Sequence, residues 1–181
     1  MKHVAAQFKR AVALYLRDGE SLLVCGPGQV PNVEIREMAA RFGVYTLIEE
    51  SRAGSFAEIV QALDNENLDT VALEAGSLPM RSLEAAVRYL KGISRRVIIG
   101  CPMPPVKGDV IQAVNAHFQE AMPYLDRVVY VDSGVTLTVK PMKPGVRQSV
   151  EITPDGDLNI TQRFKDIPRG TEVVGLEVGD L

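Results

Sequence analysis

A short apolar run, Ser21-Leu22-Leu23-Val24-Cys25, leads into Gly26-Pro27-Gly28-Gln29 and then into a helical pattern. Such a turn can present backbone N–H groups at a helix N-terminus to a bound anion, as a phosphate cradle does. A working cradle for a nucleotide also needs a lysine that reaches the phosphates and a serine or threonine that holds magnesium. The turn continues Val30-Pro31-Asn32-Val33-Glu34 and supplies neither. Pro31 removes an N–H from the first helical turn. Glu34 and Glu37 are expected to set negative charge where an anion would sit. Each lost charge-assisted contact is worth about 1.5–3 kcal/mol. Losing two amounts to about 3–6 kcal/mol, a hundred- to ten-thousandfold in affinity. The plainer expectation is a glycine-bearing turn with Asn32 as the helix N-cap.

Three carboxylates stand at comparable positions. Glu49-Glu50 follows the apolar run Val44 to Ile48, and Glu74 follows Thr70 to Leu73. Acids at strand ends can activate water or hold magnesium, but most are solvated or cap the next helix. Cys25 and Cys101 each end an apolar run and read as small buried residues. The chain has two cysteines and two histidines, too few and too scattered for a zinc site or a disulfide framework. No Ser-His-Asp set stands in a plausible order, so no catalytic residue and no metal ligand is assigned. Arg95, Arg96, Lys140, Lys143 and Arg147 read as scattered solvated charges.

The elements that must hold these residues follow from apolar periodicity. Val4, Phe8, Ala11, Val12 and Tyr15 predict an N-terminal helix that stops at Asp18-Gly19. Ile35, Met38, Ala39 and Phe42 predict a second helix, and Phe56, Ile59, Val60 and Leu63 a third. Leu83, Ala86, Val87 and Leu90 predict a fourth. Val110, Ile111, Val114, Phe118 and Met122 predict a long fifth. Between them, Ser21 to Cys25, Val44 to Ile48, Thr70 to Leu73, Arg96 to Cys101 and Arg127 to Val131 are continuous apolar runs, as in strands buried on both faces. Alternating strands and helices predict an α/β fold: a mostly parallel central sheet covered by helices on both faces. Val135 to Val139, Ser149 to Thr153 and Leu158 to Phe164, with a turn at Pro154-Asp155-Gly156-Asp157, predict an antiparallel, β-rich C-terminal extension. Residues 1–181 read as one domain, with 135–181 as that extension.

Composition limits the function classes. Apolar residues make up 46% and charged residues 24% of 181 positions, the balance of a soluble globular chain. A net charge of -3 gives no basic footprint for nucleic acid. No apolar run approaches the roughly 20 residues that span a bilayer, and no signal-peptide core opens the chain. A cytoplasmic location without membrane contact is expected.

The order of these motifs resembles the RecA superfamily, especially KaiC-like ATPases. Gly19 to Gly28 is similar to the entry to their nucleotide loop. Val44-Tyr45-Thr46-Leu47-Ile48-Glu49-Glu50-Ser51 resembles their second strand, which ends in a Glu-Glu-Ser run whose first glutamate helps activate water. Glu74 falls where the family carries its magnesium-associated acid, usually an aspartate. Tyr124 to Val131 resembles the penultimate conserved strand, and Val135 to Lys140 with Val150 to Gly156 the β-rich ending. The missing lysine and hydroxyl residue, with the short stretch from Ser51 to Leu68, imply a reduced relative that does not hydrolyse nucleotide. Gly26, Pro27, Gly28 and Gln29 are then a nucleotide-loop remnant, and Glu49, Glu50 and Glu74 acidic remnants. No cofactor is expected. The implied function is protein–protein interaction, as a regulatory or assembly partner of itself or of a related RecA-like chain.

The alternative is a small class I methyltransferase-like enzyme. There Gly26-Pro27-Gly28 would wrap S-adenosylmethionine, and Glu49 or Glu50 would hold the ribose hydroxyls. Strand order separates the two. The RecA-like order sets Ser21 to Cys25 between Arg96 to Cys101 and Arg127 to Val131, with Cys25 and Cys101 ending neighbouring strands. The methyltransferase-like order sets it beside Val44 to Ile48.

Overall fold

The computed structural model describes residues 16–63, 68–76 and 78–132, and the backbone alone of 135–139, 146–152, 158–164 and 176–178. The expected N-terminal helix and the turn at Pro154 to Asp157 lie outside the described residues.

The strands are β1 (Ser21–Gly26), β2 (Tyr45–Ile48), β3 (Leu68–Glu74), β4 (Ser94–Pro102) and β5 (Arg127–Asp132). The helices are α1 (Val30–Ala40), α2 (Phe56–Ala62), α3 (Met80–Ile93) and α4 (Val110–His117). The five strands run parallel in the order β2-β3-β4-β1-β5. This is an α/β fold. Alternate residues of each central strand point to opposite faces, so a strand covered on both sides must be apolar at every position. β1 meets that demand from Leu22 to Cys25, and its first residue, Ser21, is buried with its hydroxyl donating to the Tyr124 carbonyl.

One face of the sheet packs Leu22, Val24, Ala72, Ile98 and Val129 against Ile35, Met38 and Ala39 of α1. The other packs Leu23, Val71, Leu73, Ile99 and Val128 under Ile59 of α2, Leu83 and Leu90 of α3, and Val110 and Val114 of α4. The last helix is shorter than its stripe predicts. It ends at His117, and Phe118 and Met122 reach the same core from the turns that follow.

Polar side chains close the edge of the sheet where the strands begin. Arg95 and Arg96 are not scattered charges, as the sequence alone suggests. Their guanidiniums share Asp18 and Asp69 at 2.7–3.4 Å, and Arg96 also lies 4.7 Å from the Phe42 ring centre. Alongside, Asp126 Oδ2 accepts from the Ser21 N–H at 2.8 Å and from Lys91 Nζ at 2.8 Å. Burial pushes the Asp126 carboxyl up, but the hydrogen bonds from Lys91 and Ser21 outweigh it and hold the group below its usual 3.8. A depressed carboxylate stabilises the fold above its unfolded-state value, and that contribution fades as pH falls through the folded one. The wild type is therefore expected to lose stability below about pH 4 more steeply than Asp126→Asn. With the site partly exposed, the difference at neutral pH should be about 1 kcal/mol or less. Urea midpoints at pH 7 and pH 3 measure it, and parallel losses in the two proteins would count against this role.

Among the described residues, no helix is long and apolar enough to cross a membrane.

Candidate functional site

The glycine-rich turn, the two acidic strand ends and the start of α1 meet at the edge of the sheet where the parallel strands end, the usual ligand side of such a fold. β1 ends at Gly26, whose carbonyl accepts from the Met103 N–H at 2.8 Å. Pro27 follows, Gly28 takes φ +64, and Gln29 caps α1. The N-cap is therefore Gln29 and not Asn32, because the helix starts at Val30 and places Asn32 in its first turn. Asn32 Nδ2 donates back to Gln29 Oε1 at 3.0 Å, so the amide side chain fastens the turn from inside the helix. The early start also moves the acids. Glu34 and Glu37 fall beyond the first turn, which holds no acidic residue, so repulsion of an anion there is weaker than the spacing suggests.

What fills the turn is packing. Asn32 is 6% exposed, and its Oδ1 finds no hydrogen-bond partner among the described residues. It rests over Gly100 of β4, where an added Cβ would stand 2.8 Å from it and 3.0 Å from the Pro31 carbonyl oxygen. Glycine at 100 lets α1 come down onto the sheet. Asn32 and Pro31 therefore sit against strand backbone.

Glu74 ends β3 and is 4% exposed. Its Oε1 accepts from Arg36 Nε of α1 at 2.5 Å, and its Oε2 accepts from the Glu50 N–H at 3.2 Å. Arg36 Nη2 also lies 3.7 Å from Glu49 Oε1. The Glu74 carboxylate, with a smaller share from Glu49, raises the already high pKa of Arg36, so the guanidinium remains a cation at any ordinary pH. Glu49 and Glu74 thus share one guanidinium, and Glu50 joins them through its backbone N–H. Both oxygens of the buried acid are engaged by the chain itself. Among the described residues, no group of three or more His, Cys, Asp or Glu is placed to hold a metal ion. Gly76, at φ +34, leaves room for the Glu50 carboxylate, which lies where a Cβ would stand.

Sequence reasoning passed over Arg36. It adjoins Ile35 in the apolar stripe of α1, but its partner is 38 positions away and no local pattern links the two. Only the packing of α1 across the sheet does so.

The cysteines lie in register on neighbouring strands, Cys25 against Cys101, with Tyr130 next to Cys25 on the other side. Both thiols are buried. Burial pushes the Cys25 thiol well up and the Cys101 thiol up to about 12, so neither supplies a thiolate at neutral pH. Tyr130 donates to Asp132 Oδ2 at 2.9 Å. His117 stacks edge-on against Phe118, with ring centres 4.7 Å apart, away from the acids.

The strand order bears on the two nucleotide-type readings. β1 lies between β4 and β5, and β2 pairs with β3. Two strands, β3 and β4, thus separate Glu49 from the glycine turn, whereas the methyltransferase-like order sets β1 beside β2. Comparison of the chain with models of known families and with curated proteins finds no match.

Proposed function

We propose that this chain is a RecA-like, KaiC-like protein whose nucleotide site is filled by its own side chains, and that it acts through protein–protein contacts. In this reading it is a pseudo-ATPase, a regulatory or assembly partner of itself or of a related RecA-like chain. The observation that carries the reading is the Arg36–Glu74 pair. In an active relative the acid after the third strand serves magnesium, whereas here it serves a guanidinium from the helix that follows the nucleotide loop.

The sheet order supports the family, since it sets the glycine turn between the ends of β4 and β5 and the acids on β2 and β3. The later strands support the β-rich ending. The backbone of β6 (Val135–Val139) runs antiparallel beside β5, and β7 (Val146–Ile152) pairs antiparallel with β8 (Leu158–Phe164). The loop supports the loss of hydrolysis, because Pro31 offers neither a cation nor an N–H, and Asn32 is turned onto Gly100.

The test is nucleotide binding by calorimetry, with ATP and magnesium on the full chain. No saturable heat is expected, and Pro31→Lys/Asn32→Thr should not by itself restore hydrolysis. ATP binding at a low micromolar dissociation constant, or robust turnover, would overturn the reading.

A further inference from the structure

β2 is the outer strand of the parallel sheet, and among the described residues nothing pairs with its far side. Natural sheets usually blunt such an edge with a charge or a proline. Val44-Tyr45-Thr46-Leu47-Ile48 contains neither, and Val44 and Tyr45 are 73% and 40% exposed. The charges stand at the two ends instead. Exposed Arg41 precedes the strand, and Glu49, its side chain 57% exposed, follows it.

We propose that this edge pairs antiparallel with the same edge of a second copy of the chain. An antiparallel two-fold pairing centred on Thr46 sets Arg41 of each copy opposite Ser51 and diagonal to Glu49 of the other, within reach of its long side chain, whereas a parallel pairing sets like charge on like. The apolar pattern is self-complementary in the same way. Pairing centred on Thr46 places Val44 opposite Ile48 and Tyr45 opposite Leu47 of the second copy. Ile48 belongs to the core face under α2 and α3, and Leu47 packs on the α1 face, so the exposed Val44 and Tyr45 would extend both faces across the junction. Opposed apolar and opposite-charge pairs stabilise antiparallel strands, and like charges directly opposite destabilise them. The inference rests on the preceding reading only for its premise that the chain works through protein contacts, and it names the surface.

Sedimentation equilibrium of the full chain from about 1 to 200 µM is expected to show the mass rising towards twice 19.7 kDa. Val44→Lys, at an exposed position the monomer tolerates, should weaken association by about tenfold or more. Arg41→Glu should weaken it as well, and Arg41→Glu/Glu49→Arg should restore it. A constant monomer mass across the range, or association indifferent to all three variants, would overturn the proposal. A monomer that binds no ATP defeats this inference alone. Tight ATP binding defeats the functional reading whatever the mass.

Discussion

Replacing Gly26 by alanine is expected to cost about 3 kcal/mol or more, a large share of the stability of an ordinary domain. Gly26 ends the central strand, buried, and a Cβ there would stand 2.2 Å from the carbonyl oxygen of Val131 and 3.2 Å from its carbon. Neither partner can move aside. Val131 is backbone of β5, and β1 is tied to β4 through Gly26 itself, which pairs with Pro102. Relief of the clash therefore means spreading two strands. Gly28, two residues on, makes the control. It takes φ +64 but has nothing within 4 Å of a Cβ, so Gly28→Ala meets only the left-handed backbone penalty of about 1–2 kcal/mol. Urea unfolding followed by circular dichroism compares them. Similar midpoints for the two variants would show that the close approach at Val131 has been misjudged.

Arg36→Ala should be the other strongly destabilising change, and its effect should depend on Glu74. Removing the guanidinium leaves a carboxylate that is 4% exposed without its counter-ion, holding one hydrogen bond from the Glu50 N–H. A buried charge stripped of its partner costs about 3 kcal/mol. Glu74→Gln should be much milder, since the half-exposed Arg36 can turn to water while the amide still accepts from Glu50. The double variant Arg36→Ala/Glu74→Gln should therefore recover most of the stability lost in Arg36→Ala, a non-additivity expected of residues in direct contact. If the double variant is as unstable as the sum of the singles, Arg36 contributes packing and not charge compensation.

How far the sequence could be read depended on how local each cause was. The central parallel strands announce themselves because burial on both faces leaves unbroken apolar runs; Leu22 to Cys25 and Val97 to Ile99 have no polar position to spare. α1 and α3 show the stripe that one buried face imposes. Their ends were harder, since Gln29 caps α1 without a side-chain hydrogen bond and carries none of the usual cap signature. The strand ends could be read as a site and the acids assigned to it, but their partner could not. Arg36 meets Glu74 only because α1 crosses the sheet towards β3, and Arg95 and Arg96 find Asp18 and Asp69 only once β4 lies between β1 and β3. Long-range electrostatics of this kind leaves no periodicity behind.

The place of β1 at the middle of the sheet has a consequence for the order in which the chain can fold during synthesis. It is the first of the five parallel strands to leave the ribosome, yet both its neighbours, β4 and β5, come late. Ser21 waits for Asp126, 105 positions downstream. β2 and β3 can pair early, but they build outward from a centre that is not yet closed. Until the β5 segment emerges, the apolar run Leu22 to Cys25 of β1 has no complete sheet to enter, and pairings this remote fold slowly and leave sticky surface uncovered meanwhile. Among the described strands, the one buried at every position is the one that the growing chain must shelter longest.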